Sequence, residues 1–112
     1  MICIIIWIAS FISALTGPAR SEDGIASTYD RSSGSKVACG GELNESALTA
    51  AHKTLPCGTR VRVENRQNGR SVTVTINDRG PYVQSRIIDL TPAGARALGF
   101  QGLARVSITR EQ

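Results

Sequence analysis

The chain has 112 residues, with 13 Lys and Arg against 9 Asp and Glu, and 41% of its residues are apolar. These totals average two unlike segments: residues 1–16 hold 13 apolar residues and no charge, whereas residues 22–112 hold 32 apolar residues out of 91 and a net charge of +3. A body of this size makes one domain with a modest core, which excludes a second domain, a long solenoid and a polytopic membrane protein.

Residues 2–15 are an apolar run of 14, short of the roughly 20 that a membrane span needs. Small residues follow at Gly17, Ala19 and Ser21. The run reads as the core of an export signal, so residues 1–21 are expected to be a signal peptide and 22–112 the working domain in the periplasm or cell envelope. An uncleaved N-terminal anchor is the alternative. Cys3 lies in the leader without a Leu-Ala-Gly-Cys type of context, so a lipid anchor is not expected. Cys39 and Cys57 remain as an even pair, which in an oxidising compartment reads as one disulfide; two free thiols are the alternative. A metal site is not expected, because His52 is the sole histidine and the spacing does not suit zinc.

Along the body, residues 21–24 read as a frayed polar start and residues 25–29 as a first strand. Residues 30–35 form a turn-rich loop, and residues 48–51 are short and apolar. Arg60-Val61-Arg62-Val63-Glu64 and Ser71-Val72-Thr73-Val74-Thr75-Ile76 both alternate, with Asn68-Gly69 between them. This predicts an antiparallel pair with its valines and Ile76 on the buried face. Asn77-Asp78-Arg79-Gly80-Pro81 predicts a tight turn, residues 86–90 another strand, and Thr91-Pro92 a helix start with Thr91 as N-cap. The helix runs to Leu98, with Ala93, Ala97 and Leu98 on its apolar side and Gly99 as its C-terminal cap. Residues 106–109 form a last strand. Short strands with one short helix predict a small, mainly β barrel.

Among the carboxylates, Glu45 and Glu64 read as solvated charges. Asp89, between Ile88 and Leu90, reads equally as a buried acid or as a hydrogen-bonding residue at the helix entry. Asp78 ends a strand beside a Gly-Pro turn, on rigid backbone yet open to a groove. Apolar surroundings would raise its pKa and make it a general acid, although Asn-Asp-Arg-Gly-Pro is also good turn chemistry by itself. His52 reads as a structural residue or as a catalytic partner. No phosphate-cradling glycine loop or cofactor motif is present, and the basic surplus is too small and scattered to support nucleic-acid binding.

The stretch from Leu48-Thr49-Ala50-Ala51-His52 through Gly58-Thr59-Arg60-Val61 to Ile76-Asn77-Asp78-Arg79-Gly80-Pro81 and Arg86-Ile87-Ile88-Asp89-Leu90 resembles the rare lipoprotein A (RlpA) family. The resemblance covers about residues 25–109. It implies a six-stranded double-psi β-barrel and lytic transglycosylase action on peptidoglycan. No cofactor is expected, and with no obvious exposed apolar stripe in the body a monomer is the expected form. By the same resemblance, Asp78 is the catalytic acid and later base, and His52 its active-site partner. Tyr29, Arg79 and Tyr82 are expected to meet the glycan. One motif departs: the family glutamate, aligned without gaps, falls at Gly41, with Glu42 one step later as its possible substitute. The disulfide pattern is also similar to that of expansins, so a non-catalytic wall-binding barrel is a second reading.

Overall fold

The computed structural model describes residues 21–111; the expected leader, with Cys3, lies outside the described residues except for Ser21, which begins the first strand. Six strands follow in order: β1 Ser21–Thr28, β2 Thr49–Ala51, β3 Arg60–Asn65, β4 Ser71–Asp78, β5 Arg86–Leu90 and β6 Ala104–Arg110. They close a barrel in the order β1-β5-β2-β4-β3-β6. The β1–β5 and β2–β4 pairs are parallel and the other pairs antiparallel. A single 3₁₀ turn, Arg31–Ser33, and one helix, α1 Pro92–Leu98, complete the described elements.

The alternating segments pair as an antiparallel hairpin. Val61 lies opposite Val74, and Val63 opposite Val72. Their inward faces join Ile76, Ile88, Leu90, Leu98, Val106 and Ile108 in one core. Outward positions of β3 are exposed, as period two requires. The hairpin connection is longer than a two-residue turn. Asn65, buried at the end of β3, accepts from Gln67 N–H at 2.9 Å and donates to the Leu98 carbonyl at 3.0 Å. Gly69 then supplies the positive φ of +78° that closes the loop.

The first strand begins earlier than its polar residues suggested. Residues 21–24, expected to fray, pair with β6 from Ser21 opposite Thr109 onward. Backbone pairing needs no apolar side chain. Asp23 adds its own anchors, accepting from Ser107 Oγ at 2.7 Å and from Arg66 Nη1 at 3.4 Å.

Helix α1 has the expected ends. Thr91 accepts from Gly94 N–H at 3.2 Å and donates to the Ala47 carbonyl at 2.6 Å, and Gly99 closes the far end at φ +75°. Its buried face differs from expectation: Gly94, Ala95 and Leu98 are buried, while Ala93 and Ala97 are partly open. Leu98 sets the rotation, because it alone of the helix residues enters the barrel core.

Candidate functional site

Strand register builds the site. Ala51 on β2 is the cross-strand partner of Asp78 on β4 and of Asp89 on β5. Asp89 in turn lies opposite Ser27 on β1. Ala26, Ala50, Ile88 and Leu90, the chain neighbours of Ser27, Ala51 and Asp89, all point into the core, so Ser27, Ala51 and Asp89 lie on the outer face of the barrel. Asp78 lies two residues beyond the core residue Ile76, and the register shift at Ala50/Ala51 sets it opposite Ala51 at the end of this row. At the usual strand spacing the two aspartate backbones stand about 10 Å apart, one strand between them.

Each carboxylate is held differently. Asp78 Oδ1 accepts two backbone N–H groups, from Ala38 at 2.8 Å and from Arg79 at 2.9 Å. Asp89 receives the Ser27 hydroxyl. Burial raises the Asp89 pKa above the ordinary carboxylate value; the Ser27 bond and Arg86 oppose the rise, and the charge of Asp78 adds to it. Tyr29, half-buried just beyond β1, has its ionisation pushed up by burial first and then by Asp78 and Asp89. Its hydroxyl therefore stays a neutral donor beside two acids. That hydroxyl, Thr49 Oγ1 and Asn77 Oδ1 are buried without a protein partner among the described residues. Thr49 is two residues from Ala51, and Asn77 immediately precedes Asp78, so the unpartnered groups cluster around the carboxylates.

Two loops brace Asp78. The 37–41 turn supplies the Ala38 N–H, and Cys39 N–H also bonds the Asn77 carbonyl at 3.0 Å. A Cys39–Cys57 disulfide ties this turn to the 52–58 loop. Arg79 then grips that loop, donating from Nη1 to the carbonyls of His52 at 2.9 Å and Leu55 at 2.6 Å. The guanidinium thus faces backbone carbonyls, and extended-chain alternation turns it away from the Asp78 carboxyl.

His52 is buried, with both ring nitrogens occupied. Nδ1 accepts the N–H groups of Thr54 and Leu55, each at 3.1 Å, so the ring proton sits on Nε2, which donates to Glu22 Oε1 at 3.0 Å. The structure brings His52 to Asp78 through backbone alone: His52 N–H donates to the Asp78 carbonyl at 3.2 Å.

Tyr29 also lines an open depression of about 440 Å³ with Asp30, Ser32, Arg96, Phe100 and Gln101. A larger one, about 510 Å³, lies at the β1–β6 seam beside Asp23, Arg66 and Arg105 and includes none of the site residues. Tyr82 is 78% exposed. Glu42 is exposed, pairs only through a backbone bridge with Lys36, and makes no side-chain hydrogen bond or ion pair among the described residues. Gly41 sits at φ +88°, where a glutamate would be strained.

A family model described as lytic transglycolase matches residues 21–109. The chain belongs to the lytic transglycolase family. Within it, the RlpA-type domain is the one matched. The probable endolytic peptidoglycan transglycosylase RlpA of Nostoc sp. is 54% identical over 85 residues, covering 73% of this chain and 23% of that one. The endolytic peptidoglycan transglycosylase RlpA of Pasteurella multocida is 53% identical over 88 residues, covering 78% and 29%. The chain thus spans under a third of the length of these two relatives. Among solved structures, the Streptomyces papain inhibitor superposes with a TM-score of 0.66 at 24% identity, over 85% of this chain and 98% of that one. An expansin of Clavibacter michiganensis gives 0.65 at 22% identity, over 83% and 51%. At such identities these two likenesses establish the double-psi barrel fold alone.

For a lytic transglycolase barrel, sequence reading singled out Asp78 and left two neighbours aside. Asp89 carries a signal, a lone acid between Ile88 and Leu90 just before a helix cap, but that pattern does not say which face it takes. Glu22 carries none: its partner His52 is 30 residues away, and only the barrel closure brings them together.

Proposed function

We propose that this domain cleaves the glycan strands of peptidoglycan without water, as an endolytic lytic transglycosylase, with Asp89 and Asp78 sharing the proton transfers. The row of two carboxylates flanking Ala51 carries the reading. Asp89, in its acid form, gives its proton to the glycosidic oxygen between N-acetylmuramic acid and N-acetylglucosamine. The C1–O bond breaks, and positive charge develops at C1 and the ring oxygen. The muramic 6-hydroxyl attacks C1 and closes a 1,6-anhydro ring. Its proton passes to Asp78, whose Oδ1 is filled by two backbone donors and whose Oδ2 receives it. The roles of acid and base thus fall to two groups with unlike surroundings. Tyr29 donates its hydroxyl to the sugar or to the carboxylate left behind. Tyr82 offers an exposed aromatic face to the glycan, and Arg79 serves by shaping the wall of the groove.

The substrate lies outside the cytoplasm, which agrees with a leader at residues 1–21 and with a disulfide in the working domain. Digestion of purified peptidoglycan followed by mass spectrometry tests the reaction. Anhydro-muropeptides from the wild type, absent with Asp78→Asn or Asp89→Asn, are the expected result. Glycan binding with no anhydro product from the wild type would instead leave a non-catalytic wall-binding barrel.

A further inference from the structure

We infer that Glu22 is a positioning residue for this site, acting through His52; the inference rests on the reading that Asp78 and Asp89 cut the glycan. His52 is 6% exposed, and its imidazole is a junction. Nδ1 can take the N–H groups of Thr54 and Leu55 only while the ring proton is on Nε2, and Glu22 Oε1 is the acceptor that keeps it there. The two amides fix the turn after His52. That turn presents the His52 and Leu55 carbonyls to Arg79, whose own N–H holds Asp78 Oδ1. His52 N–H holds the Asp78 carbonyl directly. Glu22, His52, the loop, Arg79 and Asp78 therefore form one continuous chain of hydrogen bonds.

The placement of Glu22 follows from strand pairing. Strand β1 pairs with β6 from Ser21 but with β5 only from Ile25. Over residues 21–24 one strand edge is left open toward the 52–57 loop. Glu22 and Leu55 border one cavity of about 290 Å³ together with Val61 and Ile108. Glu22 lies outside the carboxylate row and touches neither Asp78 nor Asp89. Its effect on turnover is therefore transmitted, not direct.

The test compares the full chain as wild type, Glu22→Ala, Glu22→Gln and Asp89→Asn on peptide-free glycan strands, with imidazole ¹⁵N resonances recorded for each. Glu22→Ala is expected to lower kcat about tenfold with KM within about twofold, the scale of one hydrogen bond lost from a charged acceptor. Glu22→Gln keeps an oxygen that accepts from Nε2–H and should recover kcat to within about threefold of the wild type. His52 should show the single Nε2–H tautomer in the wild type and Glu22→Gln and lose it in Glu22→Ala. Wild-type turnover in Glu22→Ala, or Glu22→Gln as slow as Glu22→Ala, overturns the inference. If the wild type itself forms no anhydro product, the glycan-cleavage reading fails separately. The His52 tautomer and the hydrogen-exchange protection of the Thr54 and Leu55 amides then still decide the role of Glu22: both unchanged in Glu22→Ala would overturn it.

Discussion

Two sides of one barrel are built on different terms. Around β3, β6 and the first residues of β4, every pair is antiparallel, and Val61, Val63, Val74, Val106 and Ile108 fill the inside while Arg60, Arg62 and Glu64 meet water. Around β2, β5 and the end of β1, strands are short, two pairs are parallel, and the register shifts at Ile25/Ala26 and Ala50/Ala51. There the outer face carries Ser27, Tyr29, Asp89, Thr49 and Asn77 at least partly out of water. Buried polar groups of this kind cost stability. The site side offsets that cost with covalent and charged braces: the Cys39–Cys57 bridge, the Arg79 grip and the His52 junction. On the proposed function, the chemistry is thus spatially separated from the regular, stabilising side, and substitutions should separate the two.

The largest effects should fall on turnover from the site side alone. Asp78→Asn and Asp89→Asn should each lower the rate of anhydro-product formation by about 10²–10⁴, the usual contribution of a general acid or base, with the fold retained by circular dichroism. Equal rates in either variant would remove that residue from the chemistry. The opposite pattern is expected from Ile108→Ala, a fully apolar truncation on the regular side. It should cost about 2–5 kcal/mol in urea denaturation and leave turnover per folded molecule unchanged. Between these lies Cys57→Ser. Opening the 18-residue bridge should cost about 3 kcal/mol in the chain-entropy picture, and it should also slow turnover, because the same link steadies the Ala38 donor to Asp78. A stability loss with turnover intact would show that the bridge serves the fold only.

The same division explains what was legible in the sequence. The regular side was readable because its pattern is local: Val61 and Val63 declare their face within five residues, and Thr91-Pro92 with Gly99 declares both helix ends. On the site side, Asp78 was legible because the Gly-Pro turn and the family motif mark it. Asp89 was ambiguous, since alternation around it says that Ile88 and Leu90 share a face but not that a parallel partner, Ser27, waits on the other. Glu22 was misread as part of a frayed end because charge near a terminus gives no hint of strand pairing with residues 107–109. In α1 only Leu98 of the expected buried residues is buried, with Gly94 and Ala95 in place of Ala93 and Ala97, for a similar reason: alanines do not fix a helix face, and Leu98 does so only once the barrel exists.

A smaller effect concerns pH. Burial raises Asp89 above the ordinary 3.8, so the folded state holds that proton more tightly than the unfolded chain. Below about 3.8 both states are protonated and the group costs nothing; as pH rises through the folded-state value, the penalty of an ionised, half-buried carboxylate reaches its full size. Asp89→Asn removes that penalty. Its Tm should match the wild type near pH 3.5 and exceed it at pH 7 by roughly 2–4 °C, a modest figure because water still screens the half-exposed group. A variant that is inactive yet more stable would place the cost of catalysis on this one residue. A variant less stable at neutral pH would mean that the Ser27 bond outweighs burial.

The smallest effect separates the two depressions. The one beside Tyr29 is the smaller, yet Tyr29 links it to the carboxylates, and it holds Arg96 and Gln101, whose side chains make no hydrogen bond to protein among the described residues. The larger one sits on the regular side, where Arg66 is already paired with Asp23. If the glycan extends from the acids past Tyr29, Arg96→Ala should raise KM by about two- to tenfold, the worth of one partly solvated hydrogen bond, and leave kcat alone. Arg105→Ala, at the larger depression, should change neither. The reverse outcome would mean that the glycan runs along the β1–β6 seam, and that the regular side of the barrel binds substrate as well as stabilising the fold.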